Sequence, residues 1–374
     1  MKDNPSIKSP LVIVVCDSYS NETIKFGRRK TKDENDKENL KHVKEEEEEL
    51  LALRRSWVRQ GQQISTLLKT LLYFGHSSKW RVIVMTDTRA TFKKVQNLTH
   101  SFPDVYKRQL MLEHRLLRYP EGYPELKNHW RPCAWGKQFL AESLPDEDAV
   151  VYVDSDLVFL SRPEELWWML ESMSPTQLIA VGPEPYYQME DNKRYFAGTV
   201  GLNTGVMAIN LTRARHLPGG GIGTAILKEG VIKPWPRHDQ DALNHFLMFK
   251  PHLLLEVTSR WNFLPSACMA KAPPCPDCIS SGILILHGAD MSFYRAIDAK
   301  FMVIYAVLVN TPIGMTPEAL LGQLSGQLAL TDTIKLPYPC NNYTNINDAL
   351  TFGLTNLAIE LMEKTKPKRK NSVR

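Results

Sequence analysis

The chain has 374 residues, 43% hydrophobic and 23% charged, with 20 Gly and 24 Pro. This composition is globular and excludes wholly disordered, collagen-like and coiled-coil architectures. The formal net charge is only +5, and much of the Lys and Arg falls in two local runs rather than on an aromatic-rich stripe, which argues against dedicated nucleic-acid binding.

Leu11-Val-Ile-Val-Val-Cys16 is rich in β-branched residues and bounded by Pro10 and Asp17, the pattern of a buried parallel strand. It closes a lead-in and first strand over residues 1–21. Residues 22–50 are dominated by charge and include five consecutive glutamates, Glu45 to Glu49. Such a segment cannot bury enough apolar surface to fold alone and is expected to be a disordered insertion. The rest of the domain is expected over 51–362. There Ile64, Leu67, Leu68, Leu71 and Leu72 repeat at helical spacing, and Gly75 suits the helix stop. Trp80–Thr86 reads as a second strand ending at Asp87, so strand, helix and strand make a right-handed βαβ unit. Ala149–Val153 is a third strand running into Asp154. Pro163 opens a helix whose Trp167, Trp168 and Leu170 read as core. Gly205–Leu211 is strand-like, Asp239–Phe249 is a helix with an acidic first turn, and Ile283–Leu286 runs as a strand into His287. The tail, 363–374, is basic and expected to be disordered. The longest unbroken apolar stretches, Leu11–Cys16 and Phe301–Val309, are far shorter than the roughly 18–20 residues of a membrane helix. No repeat is present, and the fold class is α/β: one domain with a mixed sheet and long functional loops.

Three of the six cysteines, Cys268, Cys275 and Cys278, crowd into one Pro-rich loop. Cys275 and Cys278 have the spacing of half a zinc site, but Cys16, Cys133 and Cys340 stand apart and supply no second half. A disulfide stapling the loop is the better reading in an oxidising compartment. Sequons at Asn21, Asn97, Asn210 and Asn342 agree with that compartment, although no secretion signal opens the chain.

Open α/β sheets bind ligands outside the carboxyl ends of their strands, so polar residues just past strand ends carry most weight. Asp154-Ser155-Asp156 lies between two apolar runs. In extended backbone residues i and i+2 project to one side, so both carboxylates could grip one hard cation, which would in turn hold nucleotide phosphates. His287, followed by Gly288, could complete an O/N ligand set favouring manganese. Asp239-Gln240-Asp241 opens a helix, where helix capping accounts for an acid but not for the Gln. Asn203-Thr204-Gly205 places an amide and a glycine before a strand, suited to a polyhydroxylated ligand or to an ordinary turn.

This combination resembles glycosyltransferase family 8. Along most of the chain after the charged segment it is most similar to the glucoside xylosyltransferases. The resemblance is carried by Val14-Val-Cys16, Arg131-Pro-Cys-Ala-Trp-Gly-Lys-Gln-Phe-Leu140, Tyr152-Val-Asp-Ser-Asp-Leu-Val-Phe-Leu160, Asn203-Thr-Gly-Val-Met207, Asp239-Gln-Asp-Ala-Leu-Asn244, Trp261-Asn262 and Ile285-Leu-His-Gly288. It implies a GT-A nucleotide-diphosphosugar transferase fold, a Rossmann-like mixed sheet flanked by helices, and transfer with retention. By this resemblance Asp154, Asp156 and His287 hold Mn2+ against the diphosphate of a UDP-sugar, with Ser155 and Gly288 beside them. Asn203, Thr204, Gly205, Asp239 and Gln240 line the sugar pocket, Lys137 contacts the donor, and the backbone of Val15, Cys16 and Asp17 cradles the uracil. Asp239 and Gln240 are assigned to positioning and oxocarbenium stabilisation, while the leaving phosphate deprotonates the acceptor. The implied donor is UDP-xylose and the acceptor an O-linked glucose on an EGF-like repeat, giving an α1,3 linkage in the Golgi or ER lumen, with the family's membrane anchor absent from this chain. Another UDP-sugar, a xylosyl-xyloside acceptor and a non-catalytic carbohydrate-binding or chaperone-like relative are the alternatives. One departure stands out: the Lys that follows His-Gly in many members is missing, and Arg295 and Lys300 are the nearest cations to replace it.

Overall fold

The computed structural model describes residues 10–17, 57–75, 78–121, 123, 126, 132–189, 195–229, 238–269, 275–295, 297–333 and 338–365. The charged segment 22–50, the start of the lead-in, the Asn21 sequon and the tail beyond 365 lie outside the described residues.

β1 (Leu11–Val15) runs through the middle of a seven-stranded sheet. Its side chains alternate between two apolar layers. Leu11, Ile13 and Val15 pack with Ile64, Leu67 and Leu71 of α1 (Trp57–Phe74), and Val12 packs with Trp135 and Phe139 on the opposite face. Burial on both faces is why the strand reads as an unbroken apolar run. Gly75 ends α1 where a Cβ would come within 2.5 Å of the Trp80 indole. β2 (Trp80–Thr86) pairs in parallel with β1. α2 (Arg89–Leu98) follows, capped by Thr88, whose hydroxyl accepts from the Thr91 N–H, and β3 (Leu110–Leu116) closes the parallel edge.

β4 (Ala149–Val153) pairs with β1 on the other side, also in parallel. The chain therefore leaves β1 in both directions, and the crevice outside the ends of β1 and β4 is a topological switch point. After β5 (Leu157–Phe159), β6 (Ile179–Pro183) and β7 (Leu202–Asn210) continue the sheet. α3 (Asp239–Met248) leads to the edge strand β8 (Leu254–Glu256), and β9 (Ile285–His287) pairs antiparallel with β5 in a small second sheet. The order in the large sheet is β3-β2-β1-β4-β7-β6-β8, with β7 antiparallel to β4 and β6. α4 (Ala299–Asn310), α5 (Pro317–Asp332) and α6 (Ile346–Thr365) complete the chain.

Three readings change, and one alternative falls to the disulfide reading preferred over it. Trp168 is 50% exposed and stacks on Trp261, ring centroids 5.4 Å apart, because the short helical turn there sends adjacent indoles to different sides. Trp167 packs on Trp80 as core. The half-zinc alternative is overturned: Cys275 bonds Cys278, Cys268 bonds Cys340 and Cys16 bonds Cys133. The helical run extends past 362 to Thr365, with Lys364 favourably placed in its last turn. Lastly, Asp154-Ser155-Asp156 is a turn rather than extended strand, since β4 stops at Val153 and β5 starts at Leu157.

Candidate donor and metal site

The two acids converge because both shoulders of their turn are pinned. The Asp154 N–H donates to the Gly205 carbonyl at 2.8 Å, and the Gly288 N–H donates to the Asp156 carbonyl at 2.8 Å. The antiparallel register of β5 and β9 sets Leu157 opposite His287. As a result one oxygen from each of Asp154 and Asp156 and one ring nitrogen of His287 lie within 4.8 Å of one another. His287 Nε2 is 3.4 Å from Asp156 Oδ1, and its Nδ1 is 2.8 Å from Asn262 Oδ1.

The electrostatics match a cation site. Burial disfavours charge on Asp156, yet the hydrogen bond and charge of His287, helped by Arg59, hold its carboxyl down at about 2. Burial pushes the Asp154 carboxyl up, opposed by Lys137 and reinforced by Asp156. Two half-buried acids and a buried imidazole whose other nitrogen is backed by an amide oxygen form a ligand set suited to a divalent metal. Gly205 makes room for it: a Cβ there would lie 2.2 Å from His287 Cε1.

Beside this group, Lys137 is 5% exposed on the run of helical turns over 132–143. Its ammonium lies 3.3 Å from Asp154 Oδ1 and 3.2 Å from Asp239 Oδ2, so one buried cation links the residues expected to hold the metal to those expected to line the sugar pocket. Tyr152 donates its hydroxyl to Asp154. Thr204 donates its hydroxyl to Asp239 at 3.3 Å and its N–H to Gln240 Oε1 at 3.1 Å. The pairing of β6 with β7 shifts register between Val181 and Gly182, an irregularity that leaves Thr204 and Gly205 unpaired with β6 and lets Thr204 face α3. Asn203, Thr204, Gly205, Asp239, Gln240, Lys137, Asp154, Asp156, His287 and Gly288 thus form one hydrogen-bonded assembly, and Ser155 sits half-buried between the acids.

Val15, Cys16 and Asp17 stand at the end of β1, across the switch point. The Asp17 N–H donates to Asp87 Oδ2 at 3.3 Å, and Lys94 pairs with the Asp17 carboxylate. The Cys16–Cys133 disulfide ties this strand end to the turns carrying Lys137. The sulfur of Cys16 is committed, so only its backbone is available to a ligand. Sequence reading missed Tyr152, Asp87 and Lys94 as participants, and also Arg59 at the start of α1, whose charge reaches Asp156. Of the two cations proposed to replace the absent Lys, Lys300 is 1% exposed and bound by Thr331, Asp332 and Asn347. Arg295 is exposed.

Residues 62–287, more than half of the chain, match the model of Glycosyl transferase family 8. Glucoside xylosyltransferase 2 of Mus musculus is 28% identical over 269 residues, covering 67% of this chain and 60% of that protein. Glucoside xylosyltransferase 1 of Homo sapiens is 30% identical over 215 residues, covering 51% of this chain and 48% of its own length. The chain therefore spans about half to three-fifths of the curated relatives it matches. Among solved structures, the galactosyltransferase LgtC in complex with donor and acceptor sugar analogues superposes with a TM-score of 0.51 at 14% identity, covering 84% of this chain and 99% of that one. That likeness establishes the GT-A fold, and with the family match it means that this chain belongs to glycosyltransferase family 8.

Proposed function

We propose that the chain is a retaining, metal-dependent xylosyltransferase that moves xylose from UDP-xylose to O-linked glucose on EGF-like repeats through an α1,3 linkage. The observation that carries this reading is the convergence of Asp154, Asp156 and His287 at the switch point, with Lys137 joining them to Asp239. The naming of the matched relatives as glucoside xylosyltransferases supports the choice of sugar.

When bound, Mn2+ supplies charge stabilisation to the departing nucleotide diphosphate. Lys137 adds a fixed positive charge on the sugar side of that position, in a buried setting where charge is weakly screened. Arg59 is our candidate for the second diphosphate cation. Asp239, held by Lys137 and Thr204, and Gln240, oriented by the Thr204 N–H, position the sugar and face the positive charge that develops at its anomeric carbon. Val15, Cys16 and Asp17 hold the base. Three disulfides, with the sequon residues Asn97 and Asn342 exposed, support residence in a secretory lumen. No helix among the described residues is long and apolar enough to cross a membrane.

Incubation with an O-glucosylated EGF-like repeat, Mn2+ and a panel of UDP-sugars tests the reading. A pentose mass increment that appears only with UDP-xylose, and is lost in Asp156→Ala, is expected. A hexose increment would move the chain to another donor, and metal-dependent UDP binding without transfer to any acceptor would make it a non-catalytic relative.

A further inference from the structure

His287 is backed by more than one hydrogen bond. Asn262, fully buried, places Oδ1 2.8 Å from His287 Nδ1 and donates its Nδ2 to Asn203 Oδ1 at 2.8 Å. Asn203 donates its own Nδ2 to Glu184 Oε2 at 2.8 Å. Glu184, 8% exposed just past β6, accepts on Oε1 from Ser266 Oγ at 2.8 Å and from the Tyr186 N–H at 3.3 Å. The Gly205 N–H donates to Asn203 Oδ1 at 2.8 Å.

The polarity of this chain follows from its ends. A carboxylate only accepts and a backbone N–H only donates. Asn203 is caught between the two, so its amide nitrogen must face Glu184 and its oxygen must face Gly205 and Asn262. Asn262 must then turn its nitrogen to Asn203 and its oxygen to His287. An oxygen facing Nδ1 requires a proton on Nδ1, and the neutral ring is left with its lone pair on Nε2, the nitrogen that faces Asp156. Burial pushes the Glu184 carboxyl up, but Oε2 faces the Asn203 amide as an acceptor in either protonation state.

We infer that Glu184 is a positioning residue that acts through Asn203 and Asn262 to hold His287 in the metal-binding tautomer. The inference rests on Asp154, Asp156 and His287 being metal ligands, and not on any donor sugar or acceptor. Its test is run on the full chain without nucleotide. Mn2+ affinity is measured from the free-ion electron paramagnetic resonance signal for wild type, Glu184→Gln and Glu184→Leu, alongside thermal melts. Glu184→Leu is expected to weaken Mn2+ binding about 10–100-fold, while Glu184→Gln, whose single oxygen can face Asn203 only by giving up the 3.3 Å contact from the Tyr186 N–H, weakens it by less. A Glu184→Leu protein with a lowered melting temperature but wild-type Mn2+ affinity would overturn the inference, because Glu184 would then be structural only. Nitrogen-15 spectra of the metal-free protein give a second readout: the His287 ring, assigned by its loss in His287→Gln, should carry a proton on Nδ1, either alone or together with one on Nε2 that faces Asp156. A ring protonated on Nε2 alone would sink the relay. Absent Mn2+ binding by wild type would sink the metal reading itself, and metal binding without sugar transfer would sink only the proposed function.

Discussion

Gly205 and His287 touch across two sheets: a Cβ at 205 would lie 2.2 Å from His287 Cε1 and 2.7 Å from Nδ1. Backbone freedom is not the reason for this glycine, since its φ is not positive; the space it vacates is. In Gly205→Ala the imidazole must swing away from the acids or β7 must shift, and the carbonyl that holds the Asp154 N–H moves with it. Overpacking of this kind costs about 1–3 kcal/mol. The larger expected effect is a Mn2+ affinity at least about tenfold weaker, as for other disturbances of a ligand's support. Calorimetric titration of metal checks it, and an affinity equal to wild type would contradict the geometry.

Much of this site could be read before the fold. Asp154, Asp156 and His287 stand out because each follows an apolar strand, and that signal needs only local sequence. Trp80–Thr86 and Ala149–Val153 match their strands for the same reason. Other parts depended on pairings between distant segments. β3 carries Glu113, His114 and Arg115 on a half-buried edge, so apolar periodicity does not mark it. Cys16 and Cys133 are 117 residues apart, and no spacing rule joins them. Arg59 belongs to no motif in the sequence, and only α1 brings it toward Asp156. Lys300, picked for its nearness to His287 in sequence, lies in the first turn of α4, which Asp298 caps, and sends its ammonium to α5 and α6.

Lys137 joins Asp154 to Asp239. Removing it as Lys137→Met leaves Asp154 and Asp239 facing each other across a buried gap. Breaking a buried ion pair by deleting one partner costs about 3–5 kcal/mol. A dication gripped by Asp154 would neutralise part of the exposed charge, so the loss in melting temperature should be larger in EDTA than in saturating Mn2+. Equal losses in both conditions would mean that Asp154 does not share its charge with a metal.

Lys300 makes a different prediction, one about α4, α5 and α6 rather than about donor binding. Its ammonium is 1% exposed, whereas its partner Asp332 has a side chain 47% exposed. Asp332→Ala strands a buried cation and is expected to cost about 3 kcal/mol. Lys300→Met removes the buried charge and leaves a carboxylate that water can reach, at about 1 kcal/mol. The order of the two melts tests the asymmetry. Neither variant should change the affinity for UDP with Mn2+, and a loss in Lys300→Met alone would return that residue to the diphosphate.

Lys69 gives the molecule a stability term that depends on pH away from the site. Its ammonium donates to the Val309 and Thr311 carbonyls at the end of α4, both at 2.9 Å. Burial lowers its pKa from 10.5 to about 8. Between those two values the unfolded chain holds more protons than the folded one, so this residue's contribution to stability rises with pH across that window. Below the lower value the penalty of burying the charge is present in full. Lys69→Met has no such group and should show no such rise. Chemical denaturation of both proteins at about pH 7.5 and about pH 9.5 should therefore find wild type gaining on the variant as pH increases. Parallel pH profiles would mean that the ammonium is hydrated in the native state and that the carbonyls of α4 are held by something else.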